Sequence, residues 1–129
     1  MNKFFLLSLI FLISCSSDNS ENIIDSEYSG IFTRVSEDAF YVPASVTLTL
    51  NNGTFEGVSS TNNYPAICTG TYEVRDSKIL FSNSCAFTAD FDWNFILDGE
   101  FDFELDGDNI TIVREYDANN YDQYILTKK

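Results

Sequence analysis

The chain has 129 residues, room for one small domain, and carries 20 acidic residues against 7 basic ones, a net charge of −13, with no histidine. That balance argues against nucleic-acid binding, whose phosphate affinity comes from Lys and Arg, and the missing histidine excludes Ser-His-Asp and Cys-His catalysis and His-ligated zinc within the chain. A hydrophobic content of 44% with 16% aromatic residues excludes a disordered chain and leaves three cysteines to be explained.

Met1-Asn2-Lys3 precedes an apolar run from Phe4 to Ile13, followed by Ser14 and Cys15. One early charge, about ten apolar residues and a small residue before the break predict a secretory leader over residues 1–14. The run is too short to span a bilayer, which takes about 20 residues. Leu12-Ile13-Ser14-Cys15 resembles the lipobox of bacterial lipoproteins, particularly those of Bacteroidota envelopes. The resemblance implies that Cys15 is acylated and anchors the mature chain to a lipid bilayer in the cell envelope, at the outer membrane. The alternative is a plain secreted protein with a free Cys15. Loss of the leader removes Lys3 and leaves 6 basic residues against 20 acidic ones, a charge of −14. Residues 15–27 are small, polar and acidic, and read as the acylated cysteine and a flexible tether.

From residue 28 to 129 the hydrophobic period is two. Val46, Leu48 and Leu50 alternate with threonines, and Asn52-Gly53 then gives the strongest short hairpin signal before Phe55. Tyr72 and Val74 lead to a turn at Asp76-Ser77, followed by Ile79 and Phe81. Further turn residues stand at Asp98-Gly99 and Asp106-Gly107-Asp108. Ile110 and Ile112, then Tyr124 and Leu126, supply the last strands. The expected fold is all-β: one antiparallel up-and-down meander of about eight strands closing into a small barrel.

Centring a hairpin on residues 76 and 77 pairs Val74 with Ile79, Tyr72 with Phe81 and Cys68 with Cys85. Directly opposed residues lie within disulfide range, so with Cys15 taken by lipid the other two cysteines are expected to bond. Two buried free thiols are the alternative. A second hairpin is expected between residues 91–97 and 100–105 about Asp98-Gly99. With Gly99 at positive φ and one extra loop residue, Phe91, Trp93, Phe95 and Leu97 share a face with Phe101, Phe103 and Leu105.

That register gathers Asp90, Asp92, Glu100, Asp102 and Glu104 into an acidic ribbon on the opposite face. Three roles are open to it: a solvated surface, a divalent-cation site, or a docking face for a basic protein partner. Asp102, Glu104 and Asp106 start like a calcium loop, but the acidic twelfth ligand is missing. No metal or cofactor is therefore assigned. On the inner face, Phe32, Phe55, Tyr72, Phe81, Trp93, Phe95, Phe101 and Phe103 either fill the barrel or line a pocket for a small hydrophobic ligand.

Tyr28-Ser29-Gly30-Ile31-Phe32 is similar to the Gly-x-Trp motif that opens lipocalins, with Phe32 in place of Trp. Arg114 resembles the arginine that packs over that aromatic, although it falls on the penultimate strand. The resemblance implies a lipocalin-like lipoprotein with a hydrophobic small-molecule pocket to which Arg114 contributes. Paired carboxylates such as Asp92 and Glu104 lack evident means of separating their pKa values, and Lys78, the only interior lysine, sits at a turn. The expectation is a non-catalytic binding module, with a protein-interaction or inhibitor-like module as the alternative.

Overall fold

Period-two sequence folds into period-two structure. In the structure, a computed structural model that describes residues 24–88 and 90–129, eight strands follow one another around a closed antiparallel barrel. They are β1 (Ser26–Val35), β2 (Ala44–Asn51), β3 (Thr54–Ser59), β4 (Cys68–Arg75), β5 (Lys78–Asn83), β6 (Gly99–Asp106), β7 (Asn109–Asp117) and β8 (Asn120–Lys128). Each strand pairs with the next, and β8 returns to β1, so neither edge of the sheet is left open. The leader, Cys15 and the tether as far as residue 23 lie outside the described residues. The domain starts earlier than expected, because Ile24 is buried with the core and Asp25 accepts a hydrogen bond from the Asn52 amide at 3.1 Å.

Turn chemistry sets the registers. Asn52 and Gly53 both take positive φ, 49° and 76°, which closes the β2–β3 hairpin with Asn51 opposite Thr54. Asp76-Ser77 centres the next hairpin, and Val74 faces Ile79 while Tyr72 faces Phe81, as the sequence predicts. Gly107-Asp108 closes the β6–β7 hairpin, with Asp106 opposite Asn109. At the β1–β8 seam Gly30 is opposite Leu126, and a Cβ at Gly30 would collide with the Ile125 carbonyl oxygen. Only glycine lets the two backbones approach so closely there.

These hairpins share one end of the barrel, together with Ile24 and the C-terminal Lys129, whose amide donates to the Glu27 carbonyl. The opposite end carries the long connections, residues 36–43, 60–67 and 84–98, and the β7–β8 turn. The barrel is therefore asymmetric, tight at the end where the chain enters and elaborated at the other.

Aromatic side chains meet across the interior. Phe55 and Phe81 have ring centroids 5.2 Å apart, Phe81 and Phe101 5.6 Å, Phe101 and Tyr124 6.3 Å, and Tyr124 and Phe32 4.9 Å. Tyr72, Ile79, Ile110, Ile112 and Leu126 complete the packing. Of the two outcomes open to the inner face, the structure shows a lumen filled by its own side chains.

Tyr28 is wholly enclosed, and its hydroxyl donates to the Ile24 carbonyl at 2.7 Å. Burial, aided by the Asp25 charge, pushes its pKa up to about 12. An unfolded tyrosine ionises near pH 10, so this contribution is complete below pH 10 and is lost as pH rises to about 12. Tyr28 alone should lower stability by about 3 kcal/mol across that window, and Tyr64, Tyr116 and Tyr124, whose burial also raises their pKa, add to the loss. Tyrosinate absorbance followed alongside circular dichroism checks this: a buried fraction should ionise only as the barrel melts.

Cys68 and Cys85 are disulfide-bonded with Cα atoms 6.4 Å apart. The β4–β5 ladder ends at Gly70 and Asn83, and the same pairing rule continued outward reaches the two cysteines. The bond thus fastens residues 84–98 to the start of β4. Replacing both cysteines by alanine should destabilise the domain by roughly 3 kcal/mol for a loop of this length. Faster hydrogen exchange should appear first over residues 84–98, and unchanged exchange there would contradict this role.

Candidate functional site

The strands' apolar alternation gives way to charge at the loop-bearing end. Two positions beyond Phe32 on the same inward face lies Arg34, and two positions before Tyr124 lies Asp122. Arg34 and Asp122 are register partners across β1 and β8, and Arg114 on β7 is the partner of Asp122 on its other side. Arg34 Nε and Nη2 donate to the two Asp122 carboxylate oxygens at 2.6 and 2.8 Å, a bidentate pair. Arg34 Nη1 also donates to Asp92 Oδ2 at 3.0 Å. The guanidinium lies 3.7 Å from the centre of the Phe95 ring. Burial alone would weaken the Arg34 charge, but the Asp122 hydrogen bond and the nearby Asp122, Tyr116 and Asp92 outweigh it and raise the pKa.

Residues 84–98 fold over this layer. The sequence predicts a strand over 91–97; instead the segment makes a single 3-10 turn, Trp93–Phe95. Asp92 caps that turn, accepting from the Asn94 amide at 2.9 Å. Ala66 then brackets the segment, donating to the Phe95 carbonyl and accepting from the Leu97 amide. The expected 91–97/100–105 hairpin does not form because β6 pairs with β5 instead, Ile79 opposite Phe101 and Phe81 opposite Gly99. This pairing places Phe101 in the lumen and lets the sheet close. Gly99 does take positive φ, 91°, but as the first residue of β6.

The acidic ribbon is consequently divided. Glu100, Asp102 and Glu104 project from the exposed side of β6, where Lys78 Nζ lies 3.7 Å from Glu100 and 2.6 Å from Asp102. Asp90 is on the 84–98 segment, and Asp92 is turned toward Arg34. Asp102, Glu104 and Asp106 are spread along an extended strand rather than wrapped as a calcium loop. Among the described residues no three His, Cys, Asp or Glu side chains come together as a metal site.

The pocket candidates divide in the same way. Phe32, Phe55, Tyr72, Phe81 and Phe101 are buried in the lumen, while Phe95 and Phe103 pack partly buried against it. Trp93 is 59% exposed and lies outside the barrel. Arg114 stacks 4.3 Å from the centre of Phe101, not on Phe32 as the lipocalin resemblance implies. It also lies 5.8 Å from the centre of the Tyr116 ring, and its hydrogen bonds go to backbone: Nη1 donates to the Asp98 carbonyl at 2.7 Å, and Nη2 to the Asn94 and Ile96 carbonyls at 2.8 and 3.3 Å. Arg114 thus staples the 84–98 segment to the barrel mouth.

Between that segment and the barrel rim runs a cleft of about 530 Å³. Phe87, Trp93 and Ile96 give it apolar walls, and Asn83, Asp98 and Arg114 give it polar ones. The sequence reading missed Arg34, Asp122 and Asp98. The signal for the first two was present, since they continue the inward alternation of Phe32 and Tyr124 with charges of opposite sign. Comparison with family models, with curated proteins and with solved structures gives no match for this chain.

Proposed function

We propose that the protein is a lipid-anchored, non-catalytic binding module of the bacterial cell envelope, and that it takes a small amphipathic ligand in the rim cleft rather than in the barrel lumen. The observation that carries this reading is the pairing of a filled lumen with an open cleft of about 530 Å³, within the range of small-molecule sites. The cleft offers aromatic and aliphatic surface beside a few polar groups, the composition an amphiphile needs. The lipobox-like Leu12–Cys15 supports the anchor, and loops carried on a rigid scaffold are a common place for binding residues.

Trp93 is the chain's only tryptophan, so its fluorescence reports directly on the cleft. A dansyl fatty acid should quench Trp93 in the soluble chain lacking residues 1–15, and an unlabelled amphiphile should displace it. Loss of one stacked aromatic is expected to weaken binding by about tenfold, so Trp93→Ala and Phe87→Ala, read by dansyl emission, should each have that effect. Equal affinity in both variants would place the ligand elsewhere. Metabolic labelling with an alkyne fatty acid tests the anchor, and label on the Cys15→Ala protein would refute it.

A further inference from the structure

The charges in the rim cleft have an unusual arrangement. Arg114 and Asp98 line the same cleft with opposite signs, yet among the described residues neither belongs to an ion pair. The hydrogen bonds that the Arg114 guanidinium donates go to backbone carbonyl oxygens, one of them that of Asp98 itself, and its faces meet the Phe101 and Tyr116 rings. The Asp98 carboxylate accepts from the Asn83 amide through Oδ1, at 2.8 Å. Carbonyl oxygens carry no full charge, and the buried Arg114 Nε has no hydrogen-bond partner among the described residues, so the arginine's charge stands outside any ion pair there. This occurs in a chain with 20 acidic residues, where carboxylates are abundant. Arg34, at the same end, takes two of them.

A ligand with only one sign of charge would meet attraction from one of these groups and repulsion from the other. A ligand carrying both signs satisfies each. From this we infer that the cleft selects zwitterionic amphiphiles, with the anionic group toward Arg114, the ammonium toward Asp98 and the apolar chain along Phe87, Trp93 and Ile96. A phosphoethanolamine headgroup has this chemistry. The inference rests on the cleft's being the binding site proposed above.

Three probes with the same acyl length separate the possibilities: lauroyl lysophosphatidylethanolamine (both charges), laurate (anion only) and laurylamine (cation only). Each is titrated below its micelle concentration into the chain lacking residues 1–15, with Trp93 fluorescence as readout. Lauroyl lysophosphatidylethanolamine should bind about fivefold more tightly than either singly charged probe, the scale of one partly exposed ion pair. Asp98→Asn keeps an oxygen to accept from the Asn83 amide and removes only the charge. It should weaken the zwitterion and laurylamine by about fivefold and leave laurate unchanged or tighter. Equal affinities for the three probes, or an unaltered ranking in Asp98→Asn, would overturn the zwitterion selectivity and leave the cleft standing. No binding by any probe would overturn the cleft itself. Arg114→Gln, which should weaken laurate and the zwitterion but not laurylamine, is interpreted only if its melting curve matches the parent's, and Asp98→Asn decides otherwise.

Discussion

Asp122→Ala is expected to destabilise the barrel by roughly 3–5 kcal/mol, because it leaves the buried Arg34 without its main counter-charge. Asp122 is 1% exposed and Arg34 9%, so water cannot take over. The Tyr116 hydroxyl, which donates to Asp122 Oδ2 at 2.8 Å, is left with only the Asn94 carbonyl at 3.4 Å. Asp92 remains within 3.0 Å of Arg34 but is half-exposed, so it offsets only part of the loss. The double variant Arg34→Met/Asp122→Leu should recover much of the difference, since replacing a whole buried pair by apolar side chains is often neutral. Urea denaturation of the two variants and the parent decides the matter. A loss below about 1 kcal/mol in Asp122→Ala would mean the pair behaves like a surface salt bridge.

Phe81→Ala is the second large effect, at about 3–5 kcal/mol. Phe81 is 1% exposed and meets Phe55, Tyr72 and Phe101 edge-on or tilted. The strands carrying these neighbours are held in a closed hydrogen-bonded ring, so they can move in only slightly to fill the gap. The variant should therefore acquire an apolar cavity that the parent lacks, detectable as xenon or benzene uptake. Uptake by the parent at similar strength would contradict a filled lumen.

The barrel was legible in the sequence because its causes are local. Alternation at Val46, Leu48 and Leu50, the Asn52-Gly53 turn and the Asp76-Ser77 turn each determine their own strand pair, and the same pairing rule extends to Cys68 and Cys85. Phe91-Asp92-Trp93-Asn94-Phe95 misled for a related reason. Period-two hydrophobicity also suits a capped turn lying across a rim, with Phe95 inward and Trp93 outward. Whether that segment or β5 pairs with β6 depends on closing the whole sheet, which no short window contains. The cleft was not legible either: the β6–β7 hairpin brings Asp98 near Arg114, but Phe87, Trp93 and Ile96 join them only because the segment between β5 and β6 folds back over the mouth.

The placement of the short hairpins has a mechanical consequence. Because Ile24 already belongs to the barrel, only residues 16–23 separate it from Cys15, and eight residues reach at most about 28 Å. An eight-residue strand such as β2 is itself about 27 Å long. A domain leashed at Cys15 would have two poses open to it, because tilted strands make the barrel no taller than the leash is long: upright on its hairpin end with the cleft one barrel height from the bilayer, or turned over with the cleft against it. In the second pose an amphiphile held in the cleft would pass to and from the bilayer without crossing water.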